Sequence, residues 1–162
     1  MNIRLLVMRH GPAEPCGAGG DAARRLSPDG RERTRLATAA LARILPVPGR
    51  IYTSPLPRAR ETAELLAAAF GTNAPVVTPL LAPGFERARI ANELARAGIE
   101  PLAIVGHEPD LSAFVGWLIG GGARIRLGKG AACLLEFTPP DKATLWALHP
   151  LDAFAHLPRG RS

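Results

Sequence analysis

The chain begins with the stretch NIRLLVMRHG at residues 2–11, in which a short apolar run leads into Arg-His-Gly. The nearly unbroken apolar part, residues 2–8, is typical of a strand buried on both faces, as in a parallel sheet. Two similar runs, at residues 50–53 and 102–105, each lead into a longer amphipathic stretch. Strands that alternate with helices in this way predict an α/β fold, a three-layer α/β/α sandwich with a mostly parallel central sheet.

Four amphipathic stretches predict helices. The first begins with Ser27 as N-cap and a proline at the first helical position, and it ends before Pro46. Its expected buried stripe is Leu36, Ala40 and Ile44. The other three helices are expected after residues 54–57, over residues 86–97 and after residues 106–109.

The C-terminal third changes character. Residues 132–137 and 144–148 are predicted strands separated by a Pro-Pro-Asp turn, which indicates an antiparallel hairpin at one edge of the sheet. Residues 75–78 are predicted to add one more short strand. With no repeat and no linker, we expect residues 1–162 to form a single domain, with a C-terminal tail from about residue 150.

Composition excludes several classes of protein. At 162 residues with 47% hydrophobic residues, the chain suits one folded domain, and no apolar run is long enough to cross a membrane. The first apolar run is too short for a signal peptide and lacks a cleavage site, so we expect a cytoplasmic protein without a membrane partner. The net charge of +6 comes from scattered arginines with few aromatics, which argues against nucleic acid as partner and favours an anionic substrate.

The two cysteines are not expected to pair. Cys16 lies in a glycine-rich loop and Cys133 in a predicted buried strand, and neither has the flanking motif of a cysteine nucleophile. Without a secretion signal, free thiols are the expectation.

Three chemically unusual segments follow predicted strands. They carry Arg9-His10, Arg58 in the first turn of a helix, and His107-Glu108. In open α/β sheets, ligands bind beyond the carboxyl ends of the strands, so these segments are expected to form one site. Two histidines and two arginines around one point would repel each other unless an anion lay between them, which points to a phosphate group.

In this order the segments resemble the histidine phosphatase superfamily, the phosphoglycerate-mutase-like or RHG family. The motifs are Arg-His-Gly at 9–11, Leu-Ser-Pro-Asp-Gly at 26–30, Ser-Pro-Leu-x-Arg-Ala at 54–59 and Gly-His-Glu-Pro at 106–109. The short chain and the Gly-His-Glu-Pro-Asp-Leu-Ser run at 106–112 look most like the SixA-type protein-phosphohistidine phosphatases. Lys-Gly-Ala at 129–131 also looks similar to that branch, and this resemblance implies that Lys129 lies near the rim of the pocket.

The resemblance implies a covalent mechanism. His10 would attack phosphorus through an unprotonated Nε2, with Nδ1–H donating to a backbone carbonyl, and water would then cleave the phosphohistidine. Arg9, Arg58 and a protonated His107 would neutralise the phosphoryl oxygens, assisted by backbone N–H groups around Glu108. No metal and no other cofactor is expected, because these cations replace Mg²⁺ and the sequence offers no cluster of carboxylates.

The chain departs from the wider family pattern at one point. Many members carry a glutamate after the third strand that protonates an alkoxide leaving group, whereas residues 78–85 contain no acid. Glu14 and Glu86 are possible substitutes, although each is equally explained as a solvated loop residue. Imidazole leaves far more readily than an alcohol near neutral pH, so the missing acid favours a phosphohistidine protein as substrate.

Two other functions remain open from the sequence. The chain could hydrolyse a small phosphate ester such as a sugar or nucleotide phosphate, or it could be a non-catalytic phosphate-binding module. A dinucleotide-binding domain is excluded, because Arg-His-Gly follows the first strand where G-x-G-x-x-G is required.

Overall fold

Six strands form one sheet in the computed structural model, which describes residues 2–98 and 101–151. The strands are β1 (Ile3–Arg9), β2 (Arg50–Thr53), β3 (Val76–Val77), β4 (Leu102–Gly106), β5 (Ala132–Thr138) and β6 (Lys142–His149). The α-helices are α1 (Pro28–Ile44), α2 (Pro57–Phe70), α3 (Arg87–Arg96) and α4 (Asp110–Leu118). The spatial order of the strands is β3-β2-β4-β1-β5-β6.

The sheet is parallel except at one edge. Strands β3, β2, β4 and β1 pair in parallel, β5 runs antiparallel to β1, and β6 runs antiparallel to β5. This arrangement confirms the predicted mixed sheet with an antiparallel C-terminal hairpin. In the register, Arg9 lies opposite Gly106 and Thr53 opposite Val105, so three parallel strands end at the same edge. The segments that follow them therefore meet at that edge.

Two layers of helix cover the sheet. Ile3, Leu5 and Val7 of β1 belong to a core that α3 and α4 complete, with Ile90, Leu94, Leu111 and Phe114 among its buried members. Leu6 and Met8 of the same strand face the opposite core, where α1 and α2 contribute residues such as Leu41 and Leu66. Strand β1 is thus buried on both faces, as its unbroken apolar sequence predicts.

The predicted buried stripe of α1 is wrong in two of its three positions. Leu36 and Ile44 are 37% and 59% exposed, whereas Ala40 is buried. The face that packs inward carries Thr34, Ala37, Thr38 and Leu41, at the three- and four-residue spacing of one helix side. The threonines were overlooked as core residues, but each hydroxyl donates to a carbonyl of its own helix, which removes the cost of burying it. By contrast, the apolar positions expected to face the core from α2 are all buried: Ala59, Ala63, Leu66 and Phe70.

Both cysteines are free: Cys16 is exposed and Cys133 is buried. No helix among the described residues is long and apolar enough to span a membrane. Of the predicted C-terminal tail, residues 152–162 lie outside the described part of the chain.

Candidate active site

The side chains that follow β1, β2 and β4 converge on one point. The ring centroids of His10 and His107 are 5.2 Å apart, and Arg58 Nε lies 3.3 Å from His10 Nε2. All three side chains are buried, with at most 5% of each residue exposed, and Arg9 is half-buried beside them. The backbone assembles this cluster, since His10 N donates to Gly106 O across the sheet at 3.1 Å.

The ring of His10 is held in one orientation. Its Nδ1 lies 2.7 Å from Gly11 O, so Nδ1 carries the proton and Nε2 presents a lone pair, which accepts from Arg58 Nε–H. Burial lowers the pKa of His10 to about 3, with the charges of His107, Arg58 and Arg9 acting in the same direction against the Gly11 hydrogen bond. His10 is therefore neutral near pH 7, with the nitrogen that a nucleophile needs facing the cluster.

Arg58 enters the site from the first turn of α2, where Pro57 begins the helix. Its own carbonyl accepts a hydrogen bond from Thr62 Oγ1 at 2.8 Å, and Thr62 Oγ1 in turn accepts from Gly11 N at 3.0 Å. One buried hydroxyl thus joins the segment of His10 to the turn of helix that carries Arg58. We call this contact the Thr62 clamp.

The outer side of Arg58 is bound by Asp21. Arg58 Nη1 donates to Asp21 O at 2.7 Å, and Nη2 donates to Asp21 Oδ2 at 2.9 Å. Asp21 lies in a short 3-10 helix, Asp21–Ala23, and its side chain is 61% exposed. The segment that follows is fastened to α2, because the buried carboxylate of Glu61 accepts from Leu26 N at 2.8 Å. Hydrogen bonds from Arg24 and the charge of Arg58 keep the pKa of Asp21 below its usual value.

His107 contacts Ser54, with 2.7 Å between Nε2 and Ser54 Oγ, while its buried Nδ1 has no partner among the described residues. Burial lowers the pKa of His107 to about 4, and Arg58 and Arg9 lower it further against the opposite effect of Asp21 and Asp110. The protein residues alone therefore favour a neutral His107 near pH 7, and the protonated His107 expected beside a phosphoryl group stays a prediction. A phosphoryl dianion would act in the opposite direction, because opposite charge favours the imidazolium.

Arg9 is anchored through its guanidinium. Its Nη1 donates to Leu127 O at 2.9 Å, and its buried Nε has no partner in the described part of the chain. Burial lowers the pKa of Arg9, as does the charge of Arg126, whereas Glu108 raises it. Within the described residues, the Nε–H of Arg9 thus has a hydrogen bond left to give to an anion.

The residues proposed as a proton donor are not part of this cluster. Glu14 and Glu86 are exposed, and neither carboxylate is among the charges that shift the pKa of His10 or His107. Lys129 is also exposed, but it belongs to the loop that borders the site, since Gly130 N donates to His10 O at 2.8 Å. The assistance expected from the backbone at Glu108 stays a prediction.

Two residues of the site were not predicted from the sequence. Thr62 could have been found, because it lies three residues after Ala59 and four before Leu66 on the apolar stripe of α2, where a polar residue needs a partner. Asp21 carried no such signal, because its contact with Arg58 depends on the course of a glycine-rich loop. Within residues 2–98 and 101–151, no three His, Cys, Asp or Glu side chains are grouped as metal ligands, and the metal-free mechanism stays a prediction.

Comparisons with known proteins identify relatives of this chain. The model of the histidine phosphatase superfamily (branch 1) matches residues 5–82. An uncharacterized protein of Picosynechococcus sp. (strain ATCC 27264 / PCC 7002 / PR-6) is 40% identical over 114 residues, covering 67% of this chain and 68% of that protein.

Two solved structures share the fold over nearly the whole chain. The protein histidine phosphatase SixA complexed with tungstate superposes with a TM-score of 0.83 at 21% identity, covering 93% of this chain and 98% of that one. A candidate phosphohistidine phosphatase SixA from Nakamurella multipartitia superposes with a TM-score of 0.73 at 26% identity, covering 93% and 97% of the two chains. The chain therefore belongs to the histidine phosphatase superfamily, as a phosphatase of the compact SixA-type branch.

Proposed function

We propose that this phosphatase acts on phosphohistidine in a protein, and that His10 carries the phosphoryl group between the substrate and water. The observation that supports it most directly is the state of His10: neutral, with Nδ1 bound to Gly11 O and the Nε2 lone pair directed at Arg58. A nucleophilic imidazole needs this tautomer.

The first step transfers phosphorus from one imidazole to another. A bond forms between His10 Nε2 and phosphorus while the bond from phosphorus to the substrate nitrogen breaks. The substrate histidine carries a proton on its other ring nitrogen, so it leaves with the electron pair as neutral imidazole. In the second step water attacks phosphorus, the bond to Nε2 breaks, and inorganic phosphate leaves. His10 is thereby restored, so no other reactant is consumed.

The charges around His10 suit the three oxygens of the group in transfer. Arg9 and Arg58 supply N–H donors with fixed positive charge, and His107 gains a proton when a dianion binds beside it. Because Asp21 uses Nη donors of Arg58, the phosphoryl group takes the remaining N–H bonds or displaces the carboxylate. Removing one such donor costs about 10²–10³ in rate in comparable sites.

The preference for phosphohistidine rests on proton supply. Asp21 is the carboxylate in contact with Arg58, and its lowered pKa keeps it ionised at neutral pH, so it is a poor acid for an alkoxide. Imidazole departs without strong acid assistance, since its pKa lies far below that of an alcohol. The pocket therefore suits a nitrogen leaving group better than a sugar or nucleotide ester.

Trapping the intermediate tests the role of His10. The protein is mixed with a ³²P-phosphohistidine peptide and quenched in alkali, where phosphohistidine survives. We expect label on the unsubstituted protein and none on His10→Ala. Label of equal intensity on His10→Ala would overturn the assignment, and no label together with no phosphate release would favour a binding module.

A series of leaving groups tests the substrate class. We expect phosphohistidine peptide and p-nitrophenyl phosphate to be hydrolysed much faster than an alkyl phosphate, because only the alkyl ester needs an acid. Glu14→Gln and Glu86→Gln serve as matched variants and should leave all rates unchanged. Faster hydrolysis of the alkyl phosphate, lost in one of these variants, would identify an ester phosphatase with that glutamate as its acid.

A further inference from the structure

An open groove lies along one side of α4. Its volume is about 630 Å³, and it is bounded by residues 109–117, by the loop of residues 121–126 and by Arg87 of α3. We call it the α4 groove. The phosphoryl group and the imidazole that carries it would fit within the His10 pocket. The chemistry described above therefore gives the α4 groove no role.

The groove lies beside the catalytic cluster. Glu108, which lines it, directly follows His107 in the chain. Arg126 also lines it and directly precedes Leu127, whose carbonyl accepts from Arg9. The charges of Glu108 and Arg126 both act on Arg9, so residues that adjoin a phosphohistidine in a substrate are placed near the groove.

The groove has a definite length and firm walls. From Pro109 to Trp117 the helix rises about 12 Å, at about 1.5 Å per residue, which accommodates about three to four residues of extended chain. The loop is fastened to α4, since Gly121 N donates to Gly116 O at 2.8 Å and Leu127 N donates to Ser112 Oγ at 3.1 Å. The groove is therefore formed before a ligand arrives.

The groove has a net positive charge, because three arginines and one glutamate line it. Arg87, Arg124 and Arg126 are exposed along it, and none of them pairs with an acidic side chain among the described residues. Arg87 lies 5.9 Å above the ring of Trp117, which keeps its guanidinium at the wall of the groove. Glu108 is the acid on the lining, and one of its oxygens already accepts from Ser112 N.

We infer that the α4 groove binds an acidic segment of a protein substrate, about three to four residues long, adjoining the phosphorylated histidine. This inference rests on the proposed function and adds the partner's chemistry to it. Carboxylates are the groups that three unpaired guanidinium groups bind in preference to other side chains, and they bind through paired N–H donors. A small phosphate ester would not reach the groove.

The test compares two phosphohistidine peptides. One has three glutamates on each side of the phosphohistidine and the other has glutamines at those positions. The protein variant is Arg87→Glu/Arg124→Glu, which spares Arg126 because its charge acts on Arg9. The matched control is Arg31→Glu/Arg43→Glu on α1, which changes the net charge by the same amount at exposed positions outside the groove.

The expected readout is the ratio of kcat/KM for the acidic peptide to that for the neutral one. We expect a ratio of about ten at low salt, as two or three exposed charge pairs would produce, falling towards one at about 0.5 M salt. The ratio should be near or below one in Arg87→Glu/Arg124→Glu and stay near ten in the control. A ratio of one in the unsubstituted protein, or an equal loss in both variants, would overturn the groove as a docking site.

The two proposals fail in different ways. If phosphohistidine is not hydrolysed in either peptide, the proposed function is wrong; if both are hydrolysed equally, only the groove is wrong. Binding gives a readout without catalysis, through fluorescence of Trp117 in a Trp146→Phe background, where Trp146 is 63% exposed. We expect the unphosphorylated acidic peptide to change this signal and the neutral peptide to leave it unchanged; equal responses would contradict the inference.

Discussion

The Thr62 clamp allows a quantitative test of how the fold positions the nucleophile. In Thr62→Val the side chain keeps its shape but loses the hydroxyl that accepts from Gly11 N and donates to Arg58 O. Thr62 is fully buried, so no water replaces the lost acceptor and Gly11 N–H is left without a partner. The change therefore removes one specific connection between α2 and the segment that follows β1.

The expected loss of stability follows from that unsatisfied donor. A buried N–H without a partner costs about 1–3 kcal/mol, which for a chain of this size lowers the melting temperature by about 2–12 °C. The active site should suffer as well, because His10 and Arg58 are no longer held in register. A displacement approaching 1 Å costs up to about 10²-fold in rate, so we expect kcat to fall by about ten- to a hundredfold.

The matched control is Thr38→Val on α1. Thr38 is equally buried, but its hydroxyl only donates to Arg35 O in its own helix, so its removal leaves no N–H without an acceptor. We expect a loss of less than about 1 kcal/mol and an unchanged kcat. Thermal unfolding and phosphate release from a phosphohistidine peptide are measured on both variants. If Thr62→Val is as stable and as active as Thr38→Val, the clamp does not position His10.

Three further outcomes are expected. Gly30→Ala should cost at least about 3 kcal/mol in urea unfolding, because a Cβ there would lie 2.0 Å from a backbone oxygen, whereas Gly17→Ala, with open space around it, should stay within about 0.5 kcal/mol. A thiol reagent at pH 8 should modify Cys16 alone in the folded protein, because burial raises the pKa of Cys133 to about 12; two fast-reacting thiols before unfolding would contradict this. The free energy of unfolding should decrease as the pH falls from 7 to 4, because the two pocket histidines have pKa values of about 3 and 4 in the folded protein and near 6.5 when unfolded, so the unfolded chain binds more protons. Melting temperatures measured between pH 7 and 4 check this. The decrease should be smaller in a variant with glutamine at both histidines, and an equal decrease in that variant would contradict the assignment.

The cluster could be predicted because each member stands next to a recognisable strand. His10 and His107 directly follow β1 and β4, and the carboxyl ends of parallel strands meet at one edge regardless of the loops between them. Arg58 was accessible in the same way, since it lies in the first turn of the helix that follows β2. Strand order and parallel pairing are enough to bring these residues together.

The electrostatic state of the site could not be predicted in this way. The lowered pKa of His107 is one example, because it depends on burial and on the charges of Arg58 and Arg9, which no linear pattern contains. The prediction of the buried face of α1 was wrong for a related reason. Hydropathy favours leucine and isoleucine over threonine, but the hydroxyls of Thr34 and Thr38 are satisfied within the helix, and so these smaller side chains face the core.

The sequence by itself determined the α/β class, the mixed sheet and the four residues that cluster at the strand ends, because apolar periodicity and strand ends are local properties of the chain. Only the tertiary structure decided what surrounds those residues: Asp21 on Arg58, Thr62 between β1 and α2, and the α4 groove with its unpaired arginines. These features join segments tens of residues apart in the chain. Their partners are chosen by packing and by the satisfaction of buried polar groups, which act between segments and leave no signal in either one alone.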